Sequence, residues 1–327
     1  MRAKEKDLRF LPLSATCRRF LIFPTRLCFS FLYFILTVCS LTAFGQEPGI
    51  RVDTNLVTVP VTVLDRDGRY ITNLVSKDFQ VFEDGIEQTI EFFEPIEKSF
   101  TVMFVLDRSG SMSGQYRSVL TNAVNVFIKQ LRPNDELIAA TFADSVVSLV
   151  DKTKVANLKK SLAISGLSSD RTTLLFDAMD YAFNKMKRIK SRKAVILFSD
   201  GVGDGYFSSA KENLKDAEET DTIVYAIQFD TSSKVEEKYR NARFYEGLAN
   251  AHRYMRELAR LTGGRHLQIE NIDDLSAKFS EIADELGRQY RLGYYPKNSS
   301  PGRKQIKVKV GRPDVVVRSR ESYVVEK

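Results

Sequence analysis

Asp107, Ser109 and Ser111 stand at alternate positions in the stretch FVLDRSGSMSG, Phe104 to Gly114, where an apolar run gives way to Ser and Gly. In a roughly extended loop, alternate side chains point the same way, so one carboxylate and two hydroxyls can converge on a point. Two further segments offer matching groups. Thr173 lies in DRTTLLFD, Asp170 to Asp177, directly before a helical pattern, and Asp200 ends the apolar run of LFSDG. Each group alone has an ordinary role, since an Asp past a strand closes a turn and a Thr before a helix caps it. Together they make two carboxylates and three hydroxyls, all oxygen, without His or Cys. That donor set suits a hard divalent cation, Mg2+ before Mn2+ or Ca2+. Two Asp charges only neutralise the ion, so it stays electrophilic toward an external carboxylate. Mg2+ also keeps waters in its shell that a partner's Asp or Glu can displace.

These groups converge only if the elements carrying them are neighbours. Four nearly continuous apolar runs, 101–106, 137–142, 194–198 and 223–227, read as strands buried on both faces, as in a parallel sheet. Helical patterns lie between them. Val119, Ala123, Val126, Phe127 and Leu131 share one helical face, and Leu175, Ala178, Met179, Ala182 and Met186 share another. Met255, Leu258, Ala259 and Leu261 lead into Gly263 and Gly264, a helix stop before a strand at 265–269, and a last helix runs through Phe279, Ile282 and Leu286. The alternation predicts a doubly wound, mainly parallel α/β domain over 99–287. If its strand order is 3-2-1-4-5-6, the strands ending at Asp107 and Asp200 meet at the switch point where such folds bind ligands.

The flanks are β-rich. Val57, Val59, Val61 and Val63 alternate with Thr58, Pro60 and Thr62, which predicts a half-buried strand. Turns at 65–68 and 83–85 frame strands at 79–82 and 86–93, and further strands are expected at 290–295, 305–310, 315–318 and 323–325. Residues 47–98 and 288–327 are thus expected to pair as a discontinuous β-sandwich into which the α/β domain is inserted.

Residues 1–46 have a different character. Seven Lys and Arg against two acids precede an uncharged run, Leu27 to Phe44, that ends in Ala43-Phe44-Gly45. A basic region, an apolar stretch and a small-x-small end describe a signal peptide, with an uncleaved anchor as the alternative; both imply export to the periplasm, cell surface or medium. The formal charge of +7 falls to +2 once this leader is set aside, which removes the case for nucleic acid binding. Cys17, Cys28 and Cys39 all lie in the leader, so the remaining chain of about 280 residues has no disulfide or thiolate site and is long enough for a large domain and a small one.

DRSGS, Thr173 and SDG resemble the metal-ion-dependent adhesion site (MIDAS) of von Willebrand factor type A (VWA) domains. That resemblance implies that Ser109, Ser111 and Thr173 coordinate the ion while Asp107 and Asp200 bind it directly or through water. Arg171-Thr172 stand where the family often has Gly-Gly, and spacing to Leu175 and Asp177 favours Thr173 over Thr172. LARLTGGRHLQIENIDDL is similar to the last strand and helix of VWA domains, and VTVPVTVLDRDGRYITNLVSKDFQVFEDG and YRLGYYPKN resemble the flanks of a secreted bacterial group first noted in acidobacteria.

A haloacid-dehalogenase-type phosphohydrolase is the competing reading, but it needs a second acid two residues after Asp107, where Ser109 stands. No G-x-S-x-G elbow, Walker loop or G-x-G-x-x-G is present, and the two histidines, His252 and His266, have no evident catalytic partner. A structural domain with a vestigial site is the third reading. The expected function is non-enzymatic recognition of an acidic group on a protein, not of a small-molecule substrate; the oligomeric state is open. The long segment from Asp230 to about Tyr254 is either a solvated excursion or a rim that selects the partner through Lys234, Tyr239, Arg243 and Tyr245.

Overall fold

The computed structural model describes residues 56–325 except 111–115, 160, 165–171 and 235. The leader, Ser111, Asp170 and Arg171 therefore lie outside the described residues.

β1 (Val57–Asp65) is followed by β2 (Phe79–Glu83) and β3 (Ile86–Gln88). The latter two form a hairpin in which Asp84 and Gly85 take φ of 48° and 82°. Two positive φ values in a two-residue loop match the strand twist, and an Asp-Gly pair accepts them readily. β4 (Phe92–Glu94) is a separate strand. The sequence reads 86–93 as one strand; the structure divides it because β3 pairs within its hairpin while β4 crosses to another sheet.

β5 (Phe100–Asp107) is buried at every position and opens the α/β part. It is followed by α1 (Tyr116–Gln130), β6 (Glu136–Phe142), β7 (Val146–Lys154), α2 (Leu175–Lys187) and β8 (Arg192–Ser199). α3 (Ala210–Glu219), β9 (Ile223–Phe229), α4 (Ala242–Thr262), β10 (His266–Ile269) and α5 (Leu275–Leu286) complete it. The tail supplies β11 (Tyr290–Tyr294), β12 (Gly302–Val310), β13 (Val315–Ser319) and β14 (Ser322–Val325).

Six strands form one sheet, ordered β10-β9-β8-β5-β6-β7 and parallel except for β7. Within this part that is the order 3-2-1-4-5-6, so β5 and β8 are neighbours where the winding reverses. Phe104, Phe127 and Phe279 pack α1 and α5 on one face; Met179, Leu197 and Met255 pack α2 and α4 on the other. β7 has no counterpart in the apolar pattern because it is an edge strand whose residues stay half-buried or exposed. α1 buries Leu120, Ala123, Val124 and Phe127, a face turned by one residue from that expected, which leaves Val119 and Val126 half-buried.

The head and tail strands build two four-stranded sheets, β13-β1-β11-β4 and β14-β12-β2-β3. They face each other over Val59, Val61, Val81, Leu292, Ile306 and Val308, making the discontinuous sandwich. β1 is more than half-buried, a departure from its alternating sequence, because its other side lies against the α/β part. There Thr62, fully enclosed, accepts from Gln289, and the Thr58 hydroxyl donates to Asp221.

The junction lies at the N-terminal ends of the parallel strands. Arg192, which starts β8, donates to the carbonyls of Ile96, Lys98 and Gln289, and Arg132 donates to those of Ile96 and Gly287. Buried Arg320 reaches the carbonyls of Glu218 and Thr220. The sandwich thus sits opposite the strand ends that carry Asp107 and Asp200. Among the described residues, no helix is long and apolar enough to cross a membrane.

Candidate metal centre

Because β5 is buried on both faces, its last residue is drawn into the rim of the core, and Asp107 is only 1% exposed. One carboxylate oxygen accepts the Ser109 N–H at 2.8 Å and the other the Ser199 hydroxyl at 2.6 Å. Ser199 ends β8, and its oxygen also accepts the Gly201 N–H at 3.0 Å. A single hydroxyl therefore ties the Asp107 loop to the Asp200 loop.

Asp200 is 6% exposed. Its Oδ1 accepts the Val202 N–H at 3.0 Å and its Oδ2 the Thr231 hydroxyl at 3.3 Å. Its carbonyl accepts the Gln228 amide at 2.9 Å, and Gln228 meets His266 Nε2 at 3.0 Å, so β9 and β10 also brace this loop. Gly201 turns the chain at φ 82°, and a Cβ there would lie 2.7 Å from Met255 Sδ.

Thr173 occupies the third loop and is half-buried. The N-cap position of α2 falls on Leu174, which makes no side-chain cap, so Thr173 does not cap the helix, and its hydroxyl bonds none of the described residues. Its carbonyl accepts the Asp204 N–H at 2.7 Å, joining the third loop to the one that follows Asp200.

Each acid does close a turn, through the N–H two residues on. That ordinary role uses one oxygen of each and leaves unexplained why two like charges are buried side by side. Burial first, and the Asp200 charge second, push the Asp107 carboxyl up to about 7, opposed by hydrogen bonds from Ser109 and Ser199. Arg108, the adjacent cation in sequence, is paired with Asp144 at 3.3 Å. Among the described residues no three His, Cys, Asp or Glu side chains form a metal cluster. A cation here would thus draw on two carboxylates plus hydroxyls, the donor type that hard ions take.

Ser199 and Thr231 are the site groups that sequence reasoning missed. Their one signal is position: Ser199 directly precedes Asp200, and Thr231 follows the strand next to β8. Of the rim candidates, Tyr239 and Tyr245 are 60% and 57% exposed and Arg243 is also exposed, while the Lys234 side chain lies outside the description. The first turns of α4 are largely exposed as far as Asn250, and packing against the sheet begins at Ala251.

Residues 102–202 match the family model of the von Willebrand factor type A domain. The chain carries a VWA domain. The match runs from β5 to just past Asp200, and so spans the loops that carry Asp107, Thr173 and Asp200. Among solved structures, the chain is similar to BatB from Bacteroides thetaiotaomicron, at 19% identity and a TM-score of 0.41 over 57% of this chain and 97% of that one. It is also similar to a von Willebrand factor type A protein from Catenulispora acidiphila, at 11% identity and 0.44 over 76% and 72%. A third is proximal thread matrix protein 1 of the mussel byssus with a zinc-occupied MIDAS motif, at 17% identity and 0.45 over 62% and 49%. The chain spans about half the length of that byssus protein. No curated protein matches the chain.

Proposed function

We propose that this chain is an exported, non-enzymatic binding protein whose VWA domain holds a divalent cation at Asp107, Ser109, Ser111, Thr173 and Asp200. Mg2+ fits the donor set before Mn2+ or Ca2+, and a carboxylate of a partner protein completes the coordination. The observation that carries this reading is the electrostatic cost of the site. Asp107 is buried beside Asp200, with its carboxyl pushed up to about 7 by burial and by that neighbouring charge. Folds keep such costly arrangements where function needs them, and a bound dication reverses the local sign.

Other features support binding over catalysis. Ser109 stands where a phosphohydrolase would place its second acid. His266 is engaged by Gln228 and stacked edge-on against His252 at 4.9 Å, and burial lowers it to about 4. The basic and apolar pattern of residues 1–46 supports export.

Immobilised protein should capture a partner from an extract of the producing cell's envelope in Mg2+ and release it in EDTA, while Asp107→Ala captures none. Equal capture with and without the metal would contradict the proposal.

A further inference from the structure

The loop after Asp200 does more than support that acid. Within it Val202 is 46% exposed, Tyr206 71% and Phe207 93%. A lone exposed apolar residue needs no explanation. What sets this loop apart is how firmly it is held. Asp177, in the first turn of α2, accepts the N–H groups of Tyr206, Phe207 and Ser208 at 2.9, 2.9 and 2.8 Å. Asp204 donates to the Thr173 carbonyl at 2.7 Å and accepts the Phe176 N–H at 3.0 Å. The Ser208 hydroxyl is bonded by Asn213, which in turn accepts the Tyr254 hydroxyl of α4.

Two glycines let the loop lie this close. A Cβ at Gly203 would stand 2.5 Å from Leu175 Cβ, and one at Gly205 would stand 2.2 Å from the Ser208 carbonyl. Two aromatic rings are therefore displayed on a backbone with little freedom left to lose on binding, which is how recognition hot spots are built. Their place is equally defined. Asp177 lies about one helical turn beyond Thr173, so the Phe207 backbone it clamps is roughly 10 Å from that threonine.

We propose that Tyr206 and Phe207 form an apolar anchor beside the cation. It selects partner proteins in which a large apolar side chain lies within about three residues of the coordinating Asp or Glu, the reach of an extended segment over that distance. The proposal rests on the metal-site reading above. The loop has no Lys or Arg between Asp200 and Ser209 to meet lipid phosphates, which disfavours an anionic membrane surface, whereas a partner protein's carboxylate is drawn by the cation itself.

A random dodecapeptide library displayed on phage, selected on the wild-type chain in Mg2+ and eluted with EDTA, tests this. Selected peptides should carry an acidic residue with Phe, Leu, Ile or Trp nearby. They should bind Phe207→Ser about tenfold more weakly. Mg2+ should stabilise that variant against heat as it does the wild type, since Phe207 is 93% exposed and takes no part in the core. Acidic peptides without an apolar neighbour, or unchanged binding to Phe207→Ser, would overturn the anchor and leave the metal site standing. No EDTA-eluted peptide at all would overturn both readings. Phe207-dependent binding to phosphatidylglycerol vesicles without any peptide selection would move the loop to a membrane and also overturn the proposal.

Discussion

At the scale of single residues, burying Asp107 beside Asp200 costs stability in the metal-free fold. In the metal-free fold, burial and the Asp200 charge raise Asp107 from 3.8 to about 7. The folded state then holds a proton that the unfolded chain has already lost. Between these values this group's contribution to stability is greatest at the acid end and falls as pH rises. In EDTA, Asp107→Asn should therefore melt higher than the wild type near neutral pH, with the gap closing toward about pH 4. A variant that melts lower than the wild type at neutral pH would contradict this. Thr173→Ala tests a different point. Its hydroxyl bonds none of the described residues, so in EDTA its removal should cost under about 0.5 kcal/mol in urea unfolding. The same variant should lose most of the stabilisation that Mg2+ gives; a full Mg2+ response would remove Thr173 from the ligand set.

At the scale of elements, Gly201 joins β8 to the Asp200 loop at φ 82° under Met255 and Ala251. Gly201→Ala should destabilise the fold by about 1–3 kcal/mol, read from chemical denaturation. A neutral result would mean that α4 gives way freely there. The elements legible in the sequence were those with a single environment. β5, β6, β8 and β9 lie inside the sheet and read as unbroken apolar runs. β7 escaped because an edge strand needs no such run, and the split of 86–93 into two strands escaped because crossing between sheets leaves no mark on hydropathy. Asp107 and Asp200 were legible as residues that end strands. Ser199 and Thr231 were not, since what they touch depends on which strands are neighbours.

At the scale of the whole molecule, the sandwich anchors the end of the α/β part away from the site. Glu285, near the end of α5 and fully buried, accepts the Tyr225 hydroxyl at 2.6 Å and pairs with Arg265 and with Arg318 of β13. Glu285→Ala leaves those two guanidinium groups, both partly solvated, without their carboxylate. It should cost about 3 kcal/mol in urea unfolding, the lower end for a broken buried pair. A loss under about 1 kcal/mol would show that the junction is held by packing alone. This buried charge cluster lies away from the three loops around Asp107, so on the proposed function a change at Glu285 should leave the response to Mg2+ intact.

Thermal unfolding with and without metal tests that central claim most directly. A cation that binds only the folded state, present at about a hundred times its Kd, adds about 2.7 kcal/mol of stability, a rise of roughly 4–5 °C in Tm for a chain of this size. The wild type should show such a rise in Mg2+ and lose it in EDTA, and Asp107→Asn should show none. Superimposable curves for both proteins in Mg2+, Mn2+ and EDTA would contradict the account.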